Sequence, residues 1–264
     1  MLTDFTITGA AELAKILLIV CPLVFFAGFV DAIAGGGGII SLPAYLIAGL
    51  PAHFAAGTNK MAACLGTSVS TWKYHRGGKI RWKTAAISAC GSLLGAFIGT
   101  QLALMFHEDV LKIIIIAALP MVALFLLLKR DFGTETESPK VRSSRANALL
   151  ALVIGFVIGC YDGLIGPGTG TFLILAFTGI LGFDLLTSSG CAKVSNLASN
   201  FVSMTLYIIN GKTVFFVAIP AALFSIAGNY LGARTALKSG SKIIRRMLFI
   251  VLALLFAKLI FDLL

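Results

Sequence analysis

The chain repeats itself, and the charges on equivalent loops change sides between the two copies. Gly28-Phe-Val-Asp31 recurs as Gly159-Cys-Tyr-Asp162, an offset of 162 − 31 = 131. Gly57-Thr-Asn-Lys60 has its counterpart in Gly190-Cys-Ala-Lys193, and Gly78-Lys79 in Gly211-Lys212, both at an offset of 193 − 60 = 133. The small-residue run Gly95, Gly99, Ala103 returns at that offset as Gly228, Gly232, Ala236. Weak identity with matching glycines and charges is the pattern of a duplicated membrane bundle. The loop after Trp72 is dense in Lys73, His75, Arg76, Lys79 and Arg81, whereas its counterpart near Asn210 keeps only Lys212. The next loop reverses this: His107-Glu108-Asp109 is largely acidic, and its partner carries Arg234, Lys238, Lys242, Arg245 and Arg246. Basic loops stay in the cytoplasm, so equivalent loops fall on opposite faces of a bilayer. The expected fold is an all-α polytopic membrane protein of two inverted-topology repeats, each of about five helical segments.

Composition agrees. Hydrophobic residues make up 58% of the 264 and charged residues 12%, about half the usual globular share of charge. A formal net charge of +10 would suggest nucleic acid in a soluble protein. Here the basic residues lie between apolar runs, and the stacking aromatics and motifs of a nucleic-acid module are absent. No nucleic-acid partner is expected. The five cysteines, Cys21, Cys64, Cys90, Cys160 and Cys191, lie inside apolar segments and do not form a secreted disulfide framework. Ala32-Ile33-Ala34 imitates a signal-peptidase site, but the basic region that precedes a signal peptide is missing, and the run reads as a retained membrane helix.

Apolar runs of about 20 residues are expected near 14–34, 84–105, 109–128, 147–165, 214–236 and 244–263. Segments 54–72 and 186–209 are long enough but carry Asn59, Lys60, Lys193, Asn196 and Asn200. Segments 39–50 and 170–182 are short, and each follows a glycine cluster, Gly35 to Gly38 or Gly166-Pro-Gly-Thr-Gly170. Glycine and proline release the backbone from helical hydrogen bonding, so each long helix is expected to break there and restart. An odd number of segments per half is what inverts the second half. The domain reading is a first membrane repeat over 1–128, a basic cytoplasmic linker over 129–146 and a second repeat over 147–264. Both termini are then extracytoplasmic, and the protein is multi-pass in the cytoplasmic (inner) membrane.

A helix restarting after a glycine break presents unpaired N–H groups and the positive end of its dipole, which together suit an anion. The two candidate ends are Gly36, Gly37, Gly38 and Ile39 in the first half and Gly168, Thr169, Gly170 and Thr171 in the second. The plainer alternative is that these glycines serve close helix packing, which fits Gly91, Gly95, Gly99, Gly228 and Gly232 well. Lys60 and Lys193 are ionisable residues inside spans, costing about 3 kcal/mol each at the bilayer centre. They could meet an anion from two sides, form structural ion pairs with Asp31 or Asp162, or snorkel to an interface. An aspartate could also keep a lysine charged while the anion is absent. Asn59 and Asn196 would orient the oxygens, although any one such amide is more often a helix–helix hydrogen bond. Cys160 and Cys191 read as small apolar fillers and His53 as an interface residue.

Gly35-Gly-Gly-Gly38 with Pro43, then Gly57-Thr-Asn-Lys60, and Asp162-Gly-x-x-Gly166-Pro-Gly-Thr-Gly170 resemble the sulfite exporter TauE/SafE family of bacterial membrane proteins. The resemblance covers about Leu17 to Leu264. It departs from the commoner second loop at Pro167 and Thr169, and at Tyr161 before Asp162. It implies an inner-membrane carrier for sulfite, thiosulfate or short organosulfonates. The expected function is therefore a secondary transporter of a small sulfur-containing oxyanion, working by alternating access at a midplane site. A channel-like anion pore is the alternative. Neither a nucleotide loop nor paired metal ligands at i, i+4 occur, so no enzyme activity, cofactor or metal is expected. Expected partners are the anion, the lipid bilayer and a coupling ion, H+ or Na+.

Overall fold

A computed structural model describes residues 9–115, 144–244 and 246–247, and every regular element among them is helical. In chain order these are α1 (Ala10–Ala34), α2 (Gly38–Ile47), α3 (Ala52–Arg76) and α4 (Trp82–Met105). A fifth helix, α5, is described over 108–115. The second half holds α6 (Ser144–Leu164), α7 (Thr169–Gly179), α8 (Leu185–Ile209) and α9 (Phe215–Ser239), and the chain is helical again over 241–244. α6 starts three residues inside the linker expected over 129–146. The rest of that linker and most of the spans expected at 109–128 and 244–263 lie outside the described residues.

Both glycine breaks are present. α1 ends at Gly35, whose φ of 77° is left-handed, a terminator that only glycine adopts cheaply. α7 starts from Gly168 at φ 82°. The short helices α2 and α7 follow, with 10 and 11 residues, about half a bilayer crossing each. α1, α4, α6 and α9 are long and apolar enough to cross a membrane. Their outer faces expose Leu18, Leu94, Leu149 and Phe216, an apolar surface far beyond what a soluble monomer tolerates. The protein is a multi-pass membrane protein.

Helix pairing follows the repeat. α4 packs on α6 as α1 packs on α9, α4 on α8 as α9 on α3, and α6 on α7 as α1 on α2. Glycines make the first contact possible: a Cβ on Gly91, Gly95 or Gly99 would run into the carbonyl oxygens of Leu152, Phe156 or Cys160. A Cβ on Gly228 or Gly232 would likewise meet those of Phe25 and Phe29. The small-residue packing expected for these five positions is what the bundle uses.

α3 and α8 lie together inside this shell and run antiparallel, since Gly57 abuts Tyr207 and Gly190 abuts Lys79. They bury the polar residues that their moderate hydropathy reflects, among them Thr58, Asn59, Lys60, Lys193, Asn196 and Asn200. α8 begins at a true side-chain cap: Asp184 accepts from the amides of Leu186 at 2.9 Å and Thr187 at 3.0 Å. Burial alone would raise the Asp184 carboxyl, but those hydrogen bonds and the charge of Lys79 outweigh it and hold its pKa below the ordinary value. A depressed pKa adds stability above the unfolded value and loses it as pH falls through the folded one. Asp184→Ala is expected to cost about 1 kcal/mol near neutrality. This penalty should be largest near neutrality and shrink as pH falls through that lowered pKa, as read from melting temperature against pH in detergent. A penalty that persists unchanged in acid would refute the cap.

Candidate functional site

Two buried lysines, two aspartates and two glycine breaks meet at the centre of the bundle, and they do so crosswise. Lys60 on α3 pairs with Asp162 on α6 at 2.8 Å, and Lys193 on α8 pairs with Asp31 on α1 at 2.6 Å. Each half thus supplies the cation for the other half's carboxylate. Each aspartate divides its two oxygens in the same way. Asp31 holds Lys193 with Oδ2, while its Oδ1 accepts from the amide of Gly37 at 3.3 Å in the first break. Asp162 holds Lys60 with Oδ2, while its Oδ1 accepts from the Thr169 hydroxyl at 2.8 Å in the second break. The aspartates therefore tie the loop geometry of one repeat to the charge of the other.

The breaks also touch. The amide of Thr171 donates to the Gly35 carbonyl at 3.1 Å, and the Thr171 hydroxyl donates to that of Ala34 at 2.8 Å. A Cβ on Gly170 would lie 2.5 Å from the Gly35 Cα, closer than non-bonded carbons approach. Tyr161 and Thr169, two of the residues that set this chain's second loop apart, both have a structural role. The Tyr161 hydroxyl donates to the Pro167 carbonyl at 2.6 Å, and Thr169 reaches Asp162.

A cavity opens beside this junction, with about 60 Å³ available to the centres of water-sized spheres. One water needs about 10–15 Å³ by that measure, so the space suits several waters or one small oxyanion. Of the residues singled out in the sequence, Asp31, Gly37, Gly38, Asn59, Lys60, Asp162, Thr169, Gly170 and Asn196 line it. Gly36, Ile39, Gly168 and Thr171 do not. The amides of Ile39 and Thr171 are taken up by the carbonyls of Gly36 and Gly35, which leaves the glycines between them facing the space. Lys193 is also outside the lining and fully buried. Its ammonium sits behind Asp31, donating to that residue's backbone carbonyl as well as its carboxylate. The two repeat-related lysines are therefore not equivalent: one faces the cavity and one is sealed from it.

Asn200, which the sequence already marks within its span, also lines the cavity, and two further polar residues come from outside the sequence-derived set. Asn200, one turn beyond Asn196, accepts from Lys60 at 3.1 Å and donates to Asn196 at 3.2 Å. Ser225 and Asn229 on α9 line the far wall. The signal for Asn229 was a lone amide in an otherwise apolar span, with no counterpart in the first half to draw attention to it. Elsewhere, His53 is buried against Glu108 and the Ala103 carbonyl where α3 begins, an interface position away from the cavity. Cys191 is buried and its sulfur accepts from the Arg81 amide. No cluster of metal-ligating residues occurs among the described residues.

The family model described as sulfite exporter TauE/SafE covers residues 20–259. The chain belongs to the TauE/SafE family. Similar proteins include a "Probable membrane transporter protein ORF9" from Sinorhizobium sp., 37% identical over 90% of each chain. They also include "Probable membrane transporter protein YfcA" from Escherichia coli (strain K12), 34% identical over 89% of this chain and 86% of its own. A probable membrane transporter protein from Haemophilus influenzae is 32% identical over 90% of this chain and 92% of its own. No solved structure gives a significant match. The family and these relatives carry the names of membrane transporters.

Proposed function

We propose that this TauE/SafE protein is a secondary carrier for a small sulfur-containing oxyanion, such as sulfite, thiosulfate or a short organosulfonate. The anion sits between Lys60, the amides of Asn59 and Asn196, and the glycine backbone at Gly37, Gly38 and Gly170. The observation that carries this reading is the inequivalence of the two lysines. Lys60 faces the cavity while Lys193 is sealed behind Asp31, as alternating access requires of a two-fold pair caught in one of its two states. In the opposite state Lys193 would line the cavity and Lys60 would be sealed. Each aspartate pairs with its lysine when the anion is absent and releases it when the anion arrives. A pore needs a continuous polar path, whereas the buried polar residues here gather around one cavity, which favours the carrier. H+ or Na+ is the coupling ion of this proposal.

Counterflow on reconstituted protein tests it. A carrier preloaded with sulfite accelerates entry of labelled sulfite, and equal rates with and without preloading would leave the pore reading instead.

The proposed membrane arrangement is two inverted repeats, 1–128 and 147–264, with the 73–83, 129–146 and 233–245 loops in the cytoplasm and both termini outside. Packing supports it, because Gly77 meets Leu237 and Gly190 meets Lys79, which brings the basic loops to one end of the bundle. Lys212 and Glu108 lie at the other, beside Phe54 and His53. A cysteine placed at Asn210 in a chain cleared of its own cysteines should react with impermeant reagents only from the extracytoplasmic side. Reaction only from the cytoplasm would sink the inverted arrangement.

A further inference from the structure

α3 and α9 run parallel and side by side, since a Cβ on Gly66 would meet Ser225 and one on Gly77 would meet Leu237. Their outer faces change character in step. Leu65, Trp72 and Arg76 are exposed along α3, and Leu223, Tyr230 and Arg234 along α9. The spacing is the same on both, 72 − 65 = 230 − 223 = 7 and then 76 − 72 = 234 − 230 = 4, which is about two helical turns and then one. Each helix passes from apolar to amphipathic aromatic to cationic over the same height. Acyl chain, interfacial region and phosphate follow one another in that order in a lipid leaflet.

The cations are gathered at the seam between the two helices. Lys73 Nζ lies 3.8 Å from the Tyr230 ring centroid and 5.5 Å from that of Trp72, and the Arg76 guanidinium lies 5.3 Å from Trp72. These are cation–π distances, so aromatic faces of both helices hold positive charge over the seam. Lys73, Arg76 and Arg234 join none of the ion pairs among the described residues. Loop charge alone would orient the chain in the bilayer, but it does not call for cations stacked on rings within the helices. The repeat supplies the comparison. A shift of 133 residues turns Trp72, Lys73 and Arg76 into Thr205, Leu206 and Ile209, and Tyr230 and Arg234 into Phe97 and Gln101. α8 and α4 pack as α3 and α9 do, yet their seam carries no charge at these positions.

We propose that the seam between α3 and α9 is a binding site for an anionic phospholipid. The lipid phosphate sits among Lys73, Arg76 and Arg234, and its acyl chains run past Leu65 and Leu223. Basic pockets between membrane helices hold such headgroups, and charge complementarity selects an anionic lipid over a zwitterionic one. The site is separate from the central cavity and does not depend on the carrier reading.

The chain has two tryptophans, so Trp82→Phe leaves Trp72 as a reporter inside the proposed site. The full-length protein is reconstituted into vesicles of phosphatidylcholine and phosphatidylglycerol, with bromine on the chains of one lipid or the other. Quenching of Trp72 by each brominated lipid gives their relative affinity. It should favour phosphatidylglycerol at least about fivefold, the contribution of one basic group at an anionic surface. In Lys73→Gln/Arg76→Gln/Arg234→Gln the ratio should fall to about one. Lys83→Gln/Lys242→Gln/Arg246→Gln removes as many charges from α4 and from the chain after α9, and it should keep the preference. Equal quenching in the parent overturns the inference, as does a preference that survives the seam variant or an equal loss in both variants. Should the seam variant fail to fold, Arg234→Gln alone decides by native mass spectrometry. It should retain less phosphatidylglycerol than the parent, and equal retention overturns the site.

Discussion

Replacing Lys60 by glutamine is expected to weaken anion binding by one to two orders of magnitude, the size of a lost charge-assisted hydrogen bond in a desolvated site. The same change leaves Asp162 as an unpaired carboxylate at 2% exposure, and breaking a buried pair costs about 3–5 kcal/mol of stability. The two effects separate in a double variant. Lys60→Gln with Asp162→Asn removes both charges, so it should recover much of the melting temperature while binding stays lost. Recovery of binding along with stability would mean that the pair is structural and the anion sits elsewhere. Lys193 should behave differently. It is sealed behind Asp31, so Lys193→Gln should destabilise at least as strongly, and it should reduce transport more than it reduces binding to this state. Arginine at either position would keep the charge but cannot place a planar guanidinium where a compact ammonium now reaches.

A methyl group at the junction of the two breaks should be nearly as damaging. In Gly35→Ala the new Cβ would collide with the backbone of Gly170 and Thr171, at a position whose φ of 77° is already left-handed. Overpacking costs about 1–3 kcal/mol and the left-handed backbone about 1–2 kcal/mol. The control is Gly49→Ala, where φ is 94° but nothing lies within 4 Å, so only the backbone strain applies. Gly35→Ala should therefore melt well below Gly49→Ala and lose transport while still inserting. Matching melts would show that the breaks do not need their close approach. The neighbouring Gly37→Ala meets the Ala27 carbonyl and the Asp31 side chain at 2.5 Å, and it should disturb the same network from the carboxylate side.

Much of this arrangement was legible in the chain itself, because bilayer physics leaves few options. Twenty-residue apolar runs, loop charge and duplicated glycines together dictate a helical multi-pass bundle, and contiguous glycines with a proline dictate where helices break. The repeat also singled out Lys60, Lys193, Asp31 and Asp162, since a costly residue kept twice at equivalent places is hard to ascribe to accident. What the chain could not convey is which lysine meets which aspartate. Within one repeat Asp31 and Lys60 are near in sequence, and only the tertiary structure, which sets Lys193 on α8 against Asp31 on α1 and Lys60 on α3 against Asp162 on α6, crosses the pairs between halves. Symmetry in the sequence also conceals asymmetry in the state: Lys60 and Lys193 read alike, yet one lines a cavity and the other is buried. Asn229 shows the limit most clearly. As one amide in an apolar span it carries no periodic or repeat signal, and only the packing of α1 and α3 against α9, with Gly28 and Gly66 beside it, sets it at the cavity wall. Local backbone chemistry and the demands of the bilayer act along the chain and can be read there. The pairing of charges and the shape of a cavity arise between helices far apart in sequence, and only their packing decides them.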